Sequence, residues 1–219
     1  MSSRTDEVTD RVRKERRFWS KVAPDYDEWV AEAYADQYVE FRGHLQDALG
    51  PEDRVLEVGT GTGNIALHIA PHVRSVVGVD ISPEMVGVAR GKLDRTELTN
   101  VEFEVGDAYD LPFKDGSFDR VVFVNVLQTM KSPERAVKEA HRVLREGGEV
   151  VSVTYTFGDS SSWETFKLAK WVLRFGKPSY WSRVRAIELT EYFTDLGFAI
   201  VENERIWESP TVQLVRARR

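Results

Sequence analysis

Cysteine is absent from all 219 residues, which excludes disulfides, zinc–thiolate sites and thiol nucleophiles. Histidine is scarce. The four copies (His44, His68, His72 and His141) fall on helical patterns or their exits, where structural or solvated roles are expected rather than a general base. No apolar run approaches the ~18 residues that a membrane span requires, and Met1-Ser-Ser-Arg-Thr-Asp-Glu7 contains no apolar signal segment. A cytoplasmic location is therefore the expectation, and no metal site is expected. Positive charge is also in deficit: 30 Lys and Arg face 36 Asp and Glu, for a formal net charge of −6 and a pI near 5.4. A protein that tracks a phosphate backbone needs a basic surface, so a nucleic-acid acceptor is disfavoured.

What is present points to a layered α/β chain. The length suits one core, and 42% of residues are apolar. Residues 1–10 read as polar and loose. Arg11 to Arg17 follows with five basic residues in seven, read as a solvated helix face, and a helical pattern covers Ala31 to Leu49 before Gly50-Pro51 breaks it. Beyond that point strands and helices alternate. Strands are expected at Arg54–Val58, Ser75–Asp80, Val101–Val105, Arg120–Val124, Glu149–Tyr155, Phe198–Ile206 and Thr211–Ala217. Helices are expected at Asn64–Ala70, Pro83–Leu93, Pro133–Leu144, Trp163–Phe175 and Ile187–Leu196. Runs such as Val76-Val-Gly-Val79 and Val121-Val-Phe-Val124 are apolar throughout, as in parallel strands covered on both faces. This order specifies a doubly wound, mostly parallel sheet. Only Trp207-Glu-Ser-Pro210 separates the last two strands, too short for a parallel crossover, so they must form an antiparallel hairpin.

The most informative stretch is Val55-Leu-Glu-Val-Gly-Thr-Gly-Thr-Gly-Asn64. A strand stops at Gly59, Gly61 and Gly63, and a helix follows whose unpaired N–H groups and dipole face a ligand brought close to the main chain. Glu57 inside this turn would repel a pyrophosphate and welcome a cation. That favours S-adenosylmethionine over a dinucleotide, which would call for Gly-x-Gly-x-x-Gly.

Four segments together resemble the class I S-adenosylmethionine-dependent methyltransferases over about Phe18 to Ala217. Among these the chain looks most like the ubiquinone/menaquinone-biosynthesis C-methyltransferases and related small-molecule enzymes. The segments are Val55–Gly63, Val77-Gly-Val-Asp-Ile-Ser-Pro-Glu-Met-Val86, Gly106–Phe113 with Ser117-Phe-Asp-Arg120, and Glu139-Ala-His-Arg-Val-Leu-Arg-Glu-Gly-Gly148. The resemblance implies a Rossmann-like sheet of seven strands ending in the hairpin. It also implies a helical lid segment at 1–50, a cofactor-binding domain at 51–219 and a helical lid insertion at about 158–184. S-adenosyl-L-methionine would be the cofactor and S-adenosyl-L-homocysteine its product.

By the same resemblance, the main chain around Gly59, Thr60, Gly61 and Gly63 would cradle the methionine part, with Glu57 fixing its ammonium group directly or through water. Asp80, seventeen residues after Gly63, would take the ribose hydroxyls, leaving Ser82 to cap the next helix. Ile81 and Met85 would line the adenine, Asp107 and Ala108 would meet its edge, and Asn125 would line the methyl-transfer pocket. Tyr26, in Ala23-Pro-Asp-Tyr-Asp27, would fold over the cofactor. No catalytic base is assigned. The stretch Asn125-Val-Leu-Gln-Thr-Met130 lacks the Asn/Asp-Pro-Pro-aromatic element of nucleic-acid amino-methyltransferases, and the histidines of many small-molecule relatives.

The expected acceptor is a small, apolar or lipid-like molecule, with a quinone or lipid among the candidates. Trp163, Phe166, Trp171, Phe175, Tyr180 and Trp181, with Lys167, Lys170 and Arg174, suit a lid over an apolar pocket, a peripheral membrane contact or a dimer contact. The alternatives are a phospholipid amine N-methyltransferase and a cofactor-binding partner protein without catalysis. The atom methylated and the oligomeric state stay open.

Overall fold

A computed structural model describes residues 4–159, 164–180, 184–208 and 210–219. Trp163 and Trp181, and the side chains of Phe166 and Lys167, lie outside the described residues. The strands are β1 (Arg54–Val58), β2 (Ser75–Asp80), β3 (Val101–Val105), β4 (Phe118–Val124), β5 (Leu144–Tyr155), β6 (Ala199–Glu208) and β7 (Thr211–Arg218). They form one seven-stranded sheet in the order β3-β2-β1-β4-β5-β7-β6. The β1/β2, β1/β4, β2/β3 and β4/β5 pairs are parallel, whereas β7 runs antiparallel to both β5 and β6. The doubly wound sheet with a terminal hairpin is thus present as the element order required.

The helices are α1 (Arg4–Val22), α2 (Tyr26–Ala48), α3 (Asn64–Ile69), α4 (Pro83–Leu93), α5 (Pro133–Val143), α6 (Glu164–Phe175) and α7 (Ala186–Thr194). β1, β2, β3 and α4 have the expected bounds, because glycine and proline punctuate them. Elsewhere the expectations need correction. Residues 4–10 are not loose but continue α1, and α2 starts at Tyr26 rather than Ala31, with a non-helical kink at Tyr34. β4 begins two residues early at Phe118, and β5 at Leu144, where α5 has already ended.

Alternating side chains divide the core in two. Val55, Val122 and Val124 face α2, α3 and α4, where Phe41, Leu45, Ile65 and Ile69 pack. Leu56, Val121 and Phe123 face α5 and α7 with Val137, Leu189 and Phe193. A third cluster, Val22, Ala23, Trp29, Met85 and Phe175, joins α1 and α2 to α4 and α6 above the carboxyl ends of the strands. That is where open α/β sheets take ligands, at the point where strand order reverses between β1 and β4. No helix among the described residues is long and apolar enough to cross a membrane.

Candidate functional site

The loop after β1 is built by close approach. Gly59 (φ 74°) and Gly63 (φ 77°) occupy the left-handed region. A Cβ on Gly59 would stand 2.3 Å from Val126, and one on Gly63 would stand 2.7 Å from Phe103. Gly61 (φ 54°) differs: nothing lies within 4 Å of its would-be Cβ, so it borders open space. The N–H groups of Gly59 and Thr60 donate to the Val79 carbonyl at 2.8 and 3.0 Å, tying the loop to β2.

Two carboxylates shape this loop from different sides. Asp80 at the end of β2 accepts the Gly61 N–H on Oδ2 and the Ser82 N–H on Oδ1, both at 2.9 Å. Each oxygen keeps further accepting capacity, and burial pushes the carboxyl up from its ordinary value. Ser82 caps α4 by accepting the Met85 N–H, as expected. Glu57 lies deeper: it is 2% exposed and is not among the described residues lining the crevice. Its Oε2 instead accepts the Thr60 hydroxyl at 2.6 Å and the Ala66 N–H at 3.0 Å, and burial raises its pKa to about 7. Glu57, Thr60 and Gly63 therefore lie beneath the loop and hold its shape, while Gly59, Gly61, Asp80, Ile81, Met85, Asp107, Ala108, Asn125 and Tyr26 converge on one crevice of about 710 Å³.

The crevice also gathers residues that the sequence reading passed over. Arg11, Glu15 and Trp19 recur every fourth residue on one face of α1 and form part of its lining. Arg11 belongs to the run read as a solvated face, and Arg13, Lys14, Arg16 and Arg17 are indeed exposed. Arg11 itself is 5% exposed, ion-paired with Glu15 and Asp107, and lies 4.2 Å from the Tyr109 ring centroid. Glu15 Oε1 is buried without a partner, and burial lifts this carboxyl to about 7. Among the described residues, one cation and three carboxyls (Glu15, Asp80, Asp107) line the space, an acidic surplus that suits a cationic ligand and opposes a pyrophosphate.

A latch joins α2 to the loop. Asp27, at the start of α2, accepts Thr62 Oγ1 at 2.6 Å, Asn64 Nδ2 at 2.8 Å and Lys92 Nζ at 2.9 Å. Burial opposes ionisation there, but these donors outweigh it and hold Asp27 below the usual carboxylate range.

A second cavity of about 590 Å³ adjoins the crevice, and Trp19, Tyr26, Asn125 and Thr129 line both. Eight of its thirteen described lining residues are aromatic and none is charged. Trp171 of α6 meets Trp19, Tyr26 and Trp29 at centroid distances of 6.4, 6.4 and 5.9 Å, which brings α6 over α1 and α2. Asn125 stands between the two spaces in a left-handed conformation (φ 53°), its N–H donating to the Val153 carbonyl at 2.8 Å. Its Oδ1 is buried without a partner, and the Tyr38 hydroxyl lies 3.4 Å from that of Tyr26. None of the four histidines lines either cavity; His68 and His72 meet Gln46, His44 meets Glu40, and His141 packs on Phe198.

This loop, strand-end carboxylate and switch-point crevice coincide with a family model described as "Methyltransferase domain", which matches residues 56–152. The phosphatidylethanolamine N-methyltransferase of Cereibacter sphaeroides is 40% identical over 136 residues, 62% of this chain and 66% of that protein. The chain belongs to the S-adenosylmethionine-dependent methyltransferases. A demethylmenaquinone methyltransferase of Symbiobacterium thermophilum is 29% identical over 210 residues, with 84% of each chain covered. The crystal structure of YcgJ from Bacillus subtilis superposes with a TM-score of 0.69 at 22% identity, covering 81% of this chain and 97% of that one, a likeness of fold. The match covers just under two thirds of the first relative's length. The methyltransferase family's cofactor fits the donor set: an acidic crevice, an open main chain at Gly61 and a strand-end carboxylate with accepting capacity to spare.

Proposed function

We propose that the protein transfers the methyl group of S-adenosylmethionine to a small, largely apolar acceptor seated in the aromatic cavity. The observation that carries this reading is the shared wall: a charged, acid-lined crevice and an uncharged aromatic cavity meet at Tyr26, Asn125 and Thr129. S-adenosylmethionine supplies an already activated methyl group on a sulfonium, so the chain's task is to align the acceptor and exclude water. Asp80 would accept the ribose hydroxyls, and Ile81, Met85, Asp107 and Ala108 would border the adenine. The Gly59–Gly63 main chain would meet the methionine part, with Glu57 and Thr60 keeping the loop in shape. Trp19 and Tyr26 would close the crevice from above.

Calorimetry on Asp80→Ala tests the reading. Losing two charge-assisted acceptor sites, each worth roughly 1.5–3 kcal/mol, should weaken S-adenosylmethionine binding on the order of a hundredfold while the protein stays folded. Unchanged affinity in a folded variant would overturn the assignment.

A lipid-like acceptor is favoured by one observation: Leu173 on α6 is 85% exposed, between half-exposed Val172 and Arg174. An α6 resting on an anionic bilayer would bring the aromatic cavity to the acceptor. Co-sedimentation with anionic vesicles that is weakened by salt, and lost in Leu173→Glu, is the expected result. Absence of sedimentation at low salt would dismiss it.

A further inference from the structure

The second cavity is specific enough to name the atom that receives the methyl group, an inference that rests on the methyltransferase reading. We propose that the acceptor is a neutral amine nitrogen, methylated without a general base, with the aromatic walls and the Asn125 amide oxygen stabilising the ammonium product.

An oxygen nucleophile arrives as a hydroxyl and must lose its proton to become reactive, and a ring carbon must lose one to complete the transfer; both need a base. No Asp, Glu, His, Lys or Arg is among the described residues lining this cavity. Its tyrosines are no substitute: burial pushes Tyr34 up to about 12, and Tyr26, Tyr38 and Tyr155 also upward, so all stay protonated. Glu15, the carboxyl nearest in character to a base, belongs to the other cavity.

An amine needs no such help. Its lone pair forms the N–C bond as the C–S bond breaks, the electron pair of that bond stays on sulfur, and the positive charge passes to nitrogen. Any proton on the nitrogen stays there through the step and leaves to solvent afterwards. The sulfonium charge next door, in a poorly hydrated space, favours the neutral amine before transfer. After transfer the cation sits among Trp19, Trp29, Trp171 and Tyr34, aromatic rings of the kind that attract alkylammonium groups.

The polar atoms agree with this assignment. Asn125 Oδ1 is buried at the junction with no partner and can accept an amine N–H. Trp29 Nε1 is buried without an acceptor and can donate to an oxygen elsewhere on the ligand. Leaving both unmet is costly, so an apolar amine that also bears an ether or carbonyl oxygen satisfies the cavity best.

The test pairs binding with transfer. Protein loaded with S-adenosylhomocysteine is titrated, by tryptophan fluorescence, with an aryl-alkyl trimethylammonium compound and its neutral tert-butyl isostere. The cation should bind roughly tenfold more tightly. That preference should disappear in Trp29→Leu and persist in Trp29→Phe, with S-adenosylhomocysteine affinity by calorimetry reporting that each variant is folded. Equal affinity of the two isosteres for the wild type would overturn the inference. In parallel, labelled S-adenosylmethionine is offered with apolar secondary amines, matched phenols and quinols. Amine methylation alone supports the proposal. Methylation of a phenol or quinol but no amine overturns it and leaves the methyltransferase reading standing, whereas failure to bind S-adenosylmethionine removes both.

Discussion

The two cavities share a wall but are made of opposite materials. The crevice is set by strand ends, backbone N–H groups and, among the described residues, four acidic or basic side chains, so charge and pH govern it. The aromatic cavity takes most of its aromatic wall from helices α1, α2 and α6, with Asn125, Thr129 and Tyr155 below, and packing governs it. A cationic nucleoside needs directed polar contacts, which a rigid sheet can place. An apolar acceptor needs shape and surface, which helices can vary without disturbing the sheet.

Removing Arg11 should have the largest effect and separate the two most sharply. Arg11→Met leaves buried Glu15 and partly buried Asp107 without their counter-ion, and removing one partner of a buried pair costs about 3–5 kcal/mol. The expected outcome is loss of amide-exchange protection along α1 and weaker cofactor binding, with the trimethylammonium affinity changed far less. Equal damage to both would break the comparison.

Glu57→Gln addresses pH dependence beneath the crevice. The carboxyl titrates near 4.5 when unfolded and about 7 when folded. Its stabilising contribution is therefore complete below pH 4.5 and lost as pH rises through 7. At about 1.4 kcal/mol per pKa unit, the neutral amide should raise stability at pH 8 by up to ~3 kcal/mol and change little at pH 4. A denaturant titration series at both pH values checks the sign. The depressed carboxylate Asp27 contributes in the opposite sense, losing its stabilisation as pH falls through its folded-state value.

Breaking the latch should matter less. Asp27→Ala removes three hydrogen bonds that are only partly buried, for about 1–2 kcal/mol, and should speed cofactor release measured by stopped flow. The smallest effect belongs to the acceptor side. Arg174 pairs with Glu28 at 3.0 Å, with both side chains well exposed, so Arg174→Ala should shift stability by less than ~0.5 kcal/mol. A larger loss would mean that charge, and not the Trp19, Trp29 and Trp171 contacts, fastens α6.

How well each part could be read follows from the same contrast. β1, β2, β3 and α4 were legible because Gly59–Gly63 and Ser82-Pro83 mark their boundaries. Asp80 was legible because its place is fixed by chain distance from the glycines. α1 was not, since its inward face carries Arg11 and Glu15 and shows no apolar stripe to the eye. The charged residues at 11 and 15 could be recognised as buried only once Asp107 and Tyr109, some hundred residues away, were seen to meet them. The hydrogen bonds of Glu57 were hidden for a related reason: its donors, Thr60 and the Ala66 N–H, are nearby in sequence, but only the folded turn aims them at one oxygen.

Sequence alone determined the sheet, its terminal hairpin and the glycine loop, because local sterics and strand-to-strand chain lengths leave few alternatives. Tertiary structure decided which side chains line the crevice, where α1 and α6 come to rest, and that no charged side chain is among the described residues lining the aromatic cavity. Those depend on contacts between distant segments, and burial, not residue type, sets what each group there can do.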